Sequence, residues 1–176
     1  DITSVRIGLG TAYSADYEGS DHATISAVPV ISLRYKDILE IDNNEVKVTA
    51  FNRLFTGGGS ALRAGPLVSI NFGRKAGDSI DLRDMGKVGT AFELGGFVSY
   101  SWENGTRVRM RARQDVASGH NGALVTLDVT QTFIRSDRYV LGGAISSTWA
   151  SGPYMRAYFG VSPTQAAASG YPVFSP

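Results

Sequence analysis

Thr106-Arg107-Val108-Arg109-Met110-Arg111-Ala112-Arg113 decides how this chain folds. Four arginines alternate with Val108, Met110 and Ala112, and Asp115 continues the arginine parity two residues on. Successive side chains of a β-strand point to opposite faces. As a strand, the stretch therefore turns all its arginines to one side and its apolar residues to the other. Four like charges on one strand face repel, so carboxylates or water must lie close by. Glu93 and Asp128, on the runs either side, are the expected partners.

The same period-two alternation recurs along almost the whole chain. Val5, Ile7, Leu9, Thr11 and Tyr13 oppose Arg6, Gly8, Gly10 and Ala12. Ile25, Ala27, Pro29, Ile31, Leu33 and Tyr35 oppose Ser26, Val28, Val30, Ser32 and Arg34. Pro29 cannot donate to a ladder, so a local break or bulge is expected there. Segment 37–53 is read as one strand with a bulge in preference to a hairpin across Asp42-Asn43-Asn44. Leu62 to Phe72, Phe92 to Trp102, Ala123 to Phe133 and Tyr139 to Trp149 repeat the pattern. Several apolar rows end in an aromatic: Tyr13, Tyr35, Phe72, Tyr100 with Trp102, Phe133 and Trp149. Interfacial girdles place rings there, although aromatics favour strands in soluble proteins too.

Composition agrees with a barrel. A barrel hides apolar residues at every second position, which fits a mean hydropathy of −0.06 with 43% hydrophobic residues. No run approaches the ~20 apolar residues of a spanning helix. A net charge of +1 argues against the broad basic surface of a nucleic-acid binder. With no cysteine, disulfides and thiolate metal sites are excluded. Asp1 opens onto a strand pattern, as expected of a processed exported chain. The tight turns Glu103-Asn104-Gly105 and Ser136-Asp137 contrast with long polar segments at 14–23 and 73–89. Short turns at one end and long loops at the other are a barrel habit. The expectation is an all-β, antiparallel transmembrane β-barrel in a bacterial outer membrane, forming a single domain over residues 1–176. Its lipid face is apolar. Its lumen carries Arg107, Arg109, Arg111, Arg113, Asp115, Glu93 and Asp128.

Other chemistries fare less well. Ser118, His120 and Asp115 are hydrolase residue types on one glycine-rich loop. A nucleophile needs its base and an orienting group within hydrogen-bond reach, which adjacent loop positions rarely supply. No enzyme is expected, and an outer-membrane lipid hydrolase is the remote alternative. Asp16, Glu18, Asp21 and His22 cluster in an oxygen-rich loop, but without EF-hand spacing. No metal or cofactor is expected.

Three stretches, in order, resemble one family. They are Ala12-Tyr13-Ser14-Ala15-Asp16-Tyr17-Glu18-Gly19-Ser20-Asp21, then Arg113-Gln114-Asp115 with Gly119-His120-Asn121-Gly122, then Thr148-Trp149 with Tyr154-Met155 and Tyr158-Phe159-Gly160-Val161-Ser162-Pro163-Thr164-Gln165. Together they are similar to the MipA/OmpV family of outer-membrane proteins, the MltA-interacting proteins. The resemblance implies a Gram-negative cell-envelope protein. It also implies a scaffold joining a lytic transglycosylase to a penicillin-binding protein in peptidoglycan synthesis, and attaches no catalytic residue. An anion-preferring channel or an adhesin is the alternative. Family members continue with further strands, so about nine strands are expected here of roughly twelve in an even-stranded whole, the C-terminal ones missing. Ser162 to Gly170 reads as a Ser-capped helical turn ended by glycine, in a loop over or into the barrel mouth.

Overall fold

The computed structural model describes residues 2–15, 23–55, 59–74, 85–136, 138 and 140–176. One antiparallel sheet contains β1 (Ile2–Ala15), β2 (Ala23–Tyr35), β3 (Leu39–Asp42), β4 (Glu45–Val48), β5 (Phe51–Leu54), β6 (Ala61–Asn71), β7 (Ala91–Ser101), β8 (Thr106–Asp115), β9 (Ala123–Arg135) and β10 (Val140–Ala150). Two short helices follow, α1 (Gly152–Phe159) and α2 (Pro163–Ser169). Neighbours in sequence are neighbours in the sheet, except that β4 and β5 share β6 as partner. The sheet curls as part of a barrel, so that β3 and β4 confront β8 across a concave side. No helix among the described residues is long and apolar enough to cross a membrane. β6, β7 and β10 have 11 residues and β8 has 10, the length with which a tilted strand crosses ~30 Å of hydrocarbon.

The polarity of a soluble protein is inverted. Glu93 is 0%, Lys47 3%, Ser69 2% and His120 2% exposed, whereas Ile7 is 79%, Leu9 84% and Ile145 77% exposed. The exposed apolar residues are continuous across strands: Ile7 pairs with Ile31, Val68 with Leu94, and Ile145 with Val129. A soluble monomer rarely exposes an apolar surface of this extent. A barrel in lipid has it by design, because alternate residues face hydrocarbon. Phe72 and Trp149 are exposed near one end of the strands, and Trp102 and Phe133 near the other.

The connections sort by end. β2–β3, β7–β8 and β9–β10 are joined by short turns at one end, with β5–β6. The β1–β2, β6–β7 and β8–β9 connections lie at the other, with α1 and α2. In the β7–β8 turn Gly105 takes φ 84°, Trp102 N–H donates to the Thr106 carbonyl, and Asn104 Oδ1 accepts from Thr106 N–H.

Two expectations need correction. Segment 37–53 is not a single strand, because β3 and β4 form the hairpin across Asn43-Asn44. Asn43 adopts φ 44°, the left-handed conformation that a two-residue turn demands and asparagine tolerates. The bulge lies later, where Val48 to Ala50 separates β4 from β5 opposite Gly65 and Pro66 of β6. Counted as one bulged strand, β4 and β5 bring the sheet to about nine strands. A Cβ on Gly65 would fall 1.8 Å from the Val48 carbonyl oxygen, so only glycine fits. Pro29 produces no break: it pairs with Leu9 in unbroken register. Ile31 N–H donates to Asn43 Oδ1 on the β3 side, and residues two apart in a strand point their N–H groups the same way. The missing N–H of Pro29 therefore aims past the end of β3, where no strand needs it.

Candidate functional site

Register puts the charged side chains on one wall. Arg107, Arg109, Arg111 and Arg113 of β8 stand beside Ser101, Ser99, Phe97 and Gly95 of β7. On the other side they meet Thr130, Asp128, Thr126 and Leu124 of β9. Their contacts reach well beyond these neighbours. Arg109 Nη1 lies 3.4 Å from Glu40 Oε1, and Arg111 Nη1 lies 3.0 Å from Glu45 Oε2, so both pairs cross the concavity to β3 and β4. Arg111 also holds Asp128 at 2.8 Å, and Arg113 meets Glu93 at 3.2 Å. The buried Lys47 lies within 3.1 Å of Glu40 and Asp42 and 2.9 Å of Glu45. Charges removed from water need such opposite partners. A cavity of about 390 Å³ remains between Lys47, Arg111, Arg113 and Asp128.

Asp115 shares the arginine parity but not the arginine network. Its carboxylate accepts from the backbone N–H groups of Ala117 (2.9 Å), His120 (2.8 Å) and Asn121 (2.7 Å), which fixes the β8–β9 loop. That loop folds His120 inward rather than leaving it as a solvated loop residue. Gly122 N–H donates to His120 Nδ1 at 3.0 Å, so Nε2 carries the proton of the neutral ring and faces Glu93 Oε1 at 3.0 Å. Both ring nitrogens are thus engaged, and neither serves Ser118, so the hydrolase pairing of Ser118 with His120 does not assemble.

α1 covers this corner. Ser151-Gly152-Pro153 starts it, with proline in the first turn. Tyr154 is buried edge-on against the His120 ring at 4.9 Å between centroids and stacks on Tyr158 at 4.4 Å. Tyr158 donates from its hydroxyl to Asn71 Oδ1 at 3.2 Å, and its carbonyl accepts from Arg74 at 2.5 Å. Phe159 and Tyr154 border a second cavity of about 470 Å³ beside Arg113. Gly160 ends α1 by donating to the Arg156 carbonyl, and Gly119 packs against Ala91. α2 has the capping box Ser162/Gln165 and the left-handed Gly170 that its sequence calls for.

The structure therefore brings Arg109, Arg111, Arg113, Glu93 and Asp128 into ion pairs, and gathers Gly119, His120, Tyr158 and Phe159 at the long-loop end. Asp16, Tyr17, Glu18, Gly19 and Ser20 lie outside the described residues, as do Asp21 and His22. Sequence reading missed Glu40, Asp42, Glu45 and Lys47. Their signal was parity: read as a two-residue hairpin, segment 39–48 turns all four to the face that carries the arginines. Tyr154 is legible in the sequence only as a motif residue, without the buried position against His120 that the structure gives it.

No curated protein and no solved structure matches the chain. The family model described as MltA-interacting protein MipA matches residues 7–176. An apolar exterior, a charged concave face and a match over nearly every residue agree, and the chain belongs to the MipA family.

Proposed function

We propose that the chain is a non-catalytic outer-membrane scaffold whose short-turn end docks a lytic transglycosylase; the family description, which names MltA as the interacting protein, supports the reading. Through that enzyme it would bring a penicillin-binding protein to the same site of peptidoglycan synthesis. The observation that carries the reading is the crossing of the concave face by Arg109–Glu40 and Arg111–Glu45. These ties brace opposite walls of the interior against each other, which suits a rigid platform better than a channel. Outer-membrane barrels set their short turns in the periplasm, where murein enzymes work. Asp37, Glu103 and Arg138 are exposed in or beside such turns.

Site-specific photo-crosslinking in cells tests this. A photoreactive residue at position 103 or 138 is expected to capture a lytic transglycosylase, while one at Val116, on the β8–β9 loop, is not. Capture of murein enzymes from neither turn position, with the barrel folded, would overturn the docking role.

A further inference from the structure

The charges of the concave face are not evenly matched. Towards the long-loop end, Lys47, Arg111 and Arg113 lie among Glu45, Asp42, Asp128 and Glu93. Towards the short-turn end the balance reverses. Arg63 is held by Asp37 at 3.1 Å and Arg109 by Glu40. Arg107 and Arg34 have no carboxylate partner among the described residues. Arg107 donates from Nε to Ser101 Oγ at 3.0 Å, which leaves its terminal nitrogens for another acceptor. The Nε of Arg34 is buried with no hydrogen bond.

The two are not remote from one another. Arg107 is partly buried, and the charges of Arg109, Arg34 and Arg63 bear on it against the single opposing charge of Glu40. Arg34 and Arg107 line the same narrow cleft of about 60 Å³, and both border a wider cavity of about 820 Å³ with Arg6, Arg135, Ser101 and Thr130. Glu40 faces the cleft but is already shared by Arg109 and Lys47. Glu103 borders the wider cavity and makes no ion pair with either arginine among the described residues.

We propose that this cavity is a binding site for a phosphoryl group, with Arg34 and Arg107 as its guanidinium ligands. Arg34 and Arg107 are cations without an ion pair among the described residues and share one concavity with Arg6 and Arg135, an excess of positive charge that a phosphoryl anion offsets, and guanidinium forks suit the oxygens of a phosphate. Ser101 accepts from Arg107 and keeps its own hydroxyl hydrogen, so it adds a donor beside the forks. The phosphoryl group comes from a free phosphate-bearing solute or from the headgroup of an anionic phospholipid. The site does not depend on the docking of a protein partner.

The test uses the folded chain in uncharged detergent at fixed ionic strength. One arm titrates inorganic phosphate and pyrophosphate by calorimetry. The other titrates a short-chain phosphatidylglycerol below its micelle concentration, against the phosphatidylcholine of the same chain length. Saturable binding in the first arm identifies a solute site; saturation with phosphatidylglycerol alone identifies a headgroup site. Arg34→Gln and Arg107→Gln are each expected to weaken binding about tenfold, the effect of roughly one charge-assisted hydrogen bond, and the double variant to abolish it. Arg53→Gln, whose guanidinium lies over the Phe55 ring at 5.2 Å, leaves binding unchanged. Because Arg107 is crowded by like charges, Arg107→Gln is expected to keep or raise the thermal midpoint. No saturation in either arm, displacement by equimolar chloride, equal binding by the double variant, or a lowered midpoint for Arg107→Gln would overturn the proposal.

Discussion

Arg111 of β8 and Glu45 of β4 meet at 3.0 Å across the concave face, although β6 and β7 lie between their strands in the sheet. The contact ties opposite walls, so it resists uncurling of the sheet, which no neighbour-to-neighbour ladder bond does. Arg111 also reaches Asp128 of β9, so a single guanidinium joins three strands.

Arg111→Ala is therefore expected to destabilise the folded protein by about 3 kcal/mol, the low end for breaking a buried pair because the guanidinium keeps some water. Glu45→Gln costs less, since Lys47 loses only one of three carboxylates. The double variant Arg111→Ala/Glu45→Gln costs less than the sum of the two, because Glu45 is then no longer a carboxylate deprived of its guanidinium, although Asp128 still loses Arg111. Urea unfolding in lipid vesicles measures all three. Strictly additive losses in the double-mutant cycle would show that the crossing pair is uncoupled.

His120 links the β8–β9 loop to Glu93 below and Tyr154 above. His120→Leu removes both ring hydrogen bonds and leaves Glu93 with Arg113 alone. The expected cost is about 1–3 kcal/mol for the stranded carboxylate oxygen, with faster chymotrypsin cleavage in α1 as the Tyr154 packing loosens. His120→Gln retains a donor and recovers part of the protection. If α1 is cleaved at the wild-type rate in His120→Leu, the histidine does not hold the helix.

Much of this was legible in the sequence because the decisive signal is local. A row such as Val5, Ile7, Leu9 states its own face, and the arginine row states the opposite one, with no knowledge of what packs where. The partners of that row were legible only in part. Glu93 and Asp128 lie on adjacent strands, and proximity in sequence order finds them. Glu40 and Glu45 reach β8 only because the sheet curls, and curvature is a sum over all strands that no short stretch encodes. α1 was missed for the opposite reason: Tyr154 to Phe159 is aromatic-rich and favours strand locally, and burial of Tyr154 against His120 overrides that preference.

Gly122 runs close under α1: a Cβ there would fall 2.6 Å from the Tyr154 backbone nitrogen. Gly122→Ala must push the helix off the sheet, at a cost of about 1–3 kcal/mol by analogy with overpacked cores. Loss of the Tyr154–His120 ring contact is expected in the near-UV circular dichroism, with the far-UV strand signal kept. An unchanged near-UV spectrum would mean that the helix accommodates the methyl without moving.

Ile145 and Ser146 are consecutive in β10 and face opposite ways. Ile145 is 77% exposed on the apolar exterior, and Ser146 donates to Asp128 at 2.8 Å on the concave side. Arginine substitution at each reads the two solvents directly. In lipid, Ile145→Arg is expected to cost about 2–4 kcal/mol, the price of a cation near the mid-plane of a bilayer. Ser146→Arg enters a face that already holds a carboxylate opposite it, and is expected to cost well under half as much. In water or short-chain detergent micelles the contrast shrinks, because an exposed arginine is then fully hydrated. Equal costs for the two substitutions in vesicles would mean that the apolar exterior does not face hydrocarbon, and the barrel assignment of β10 would fail with it.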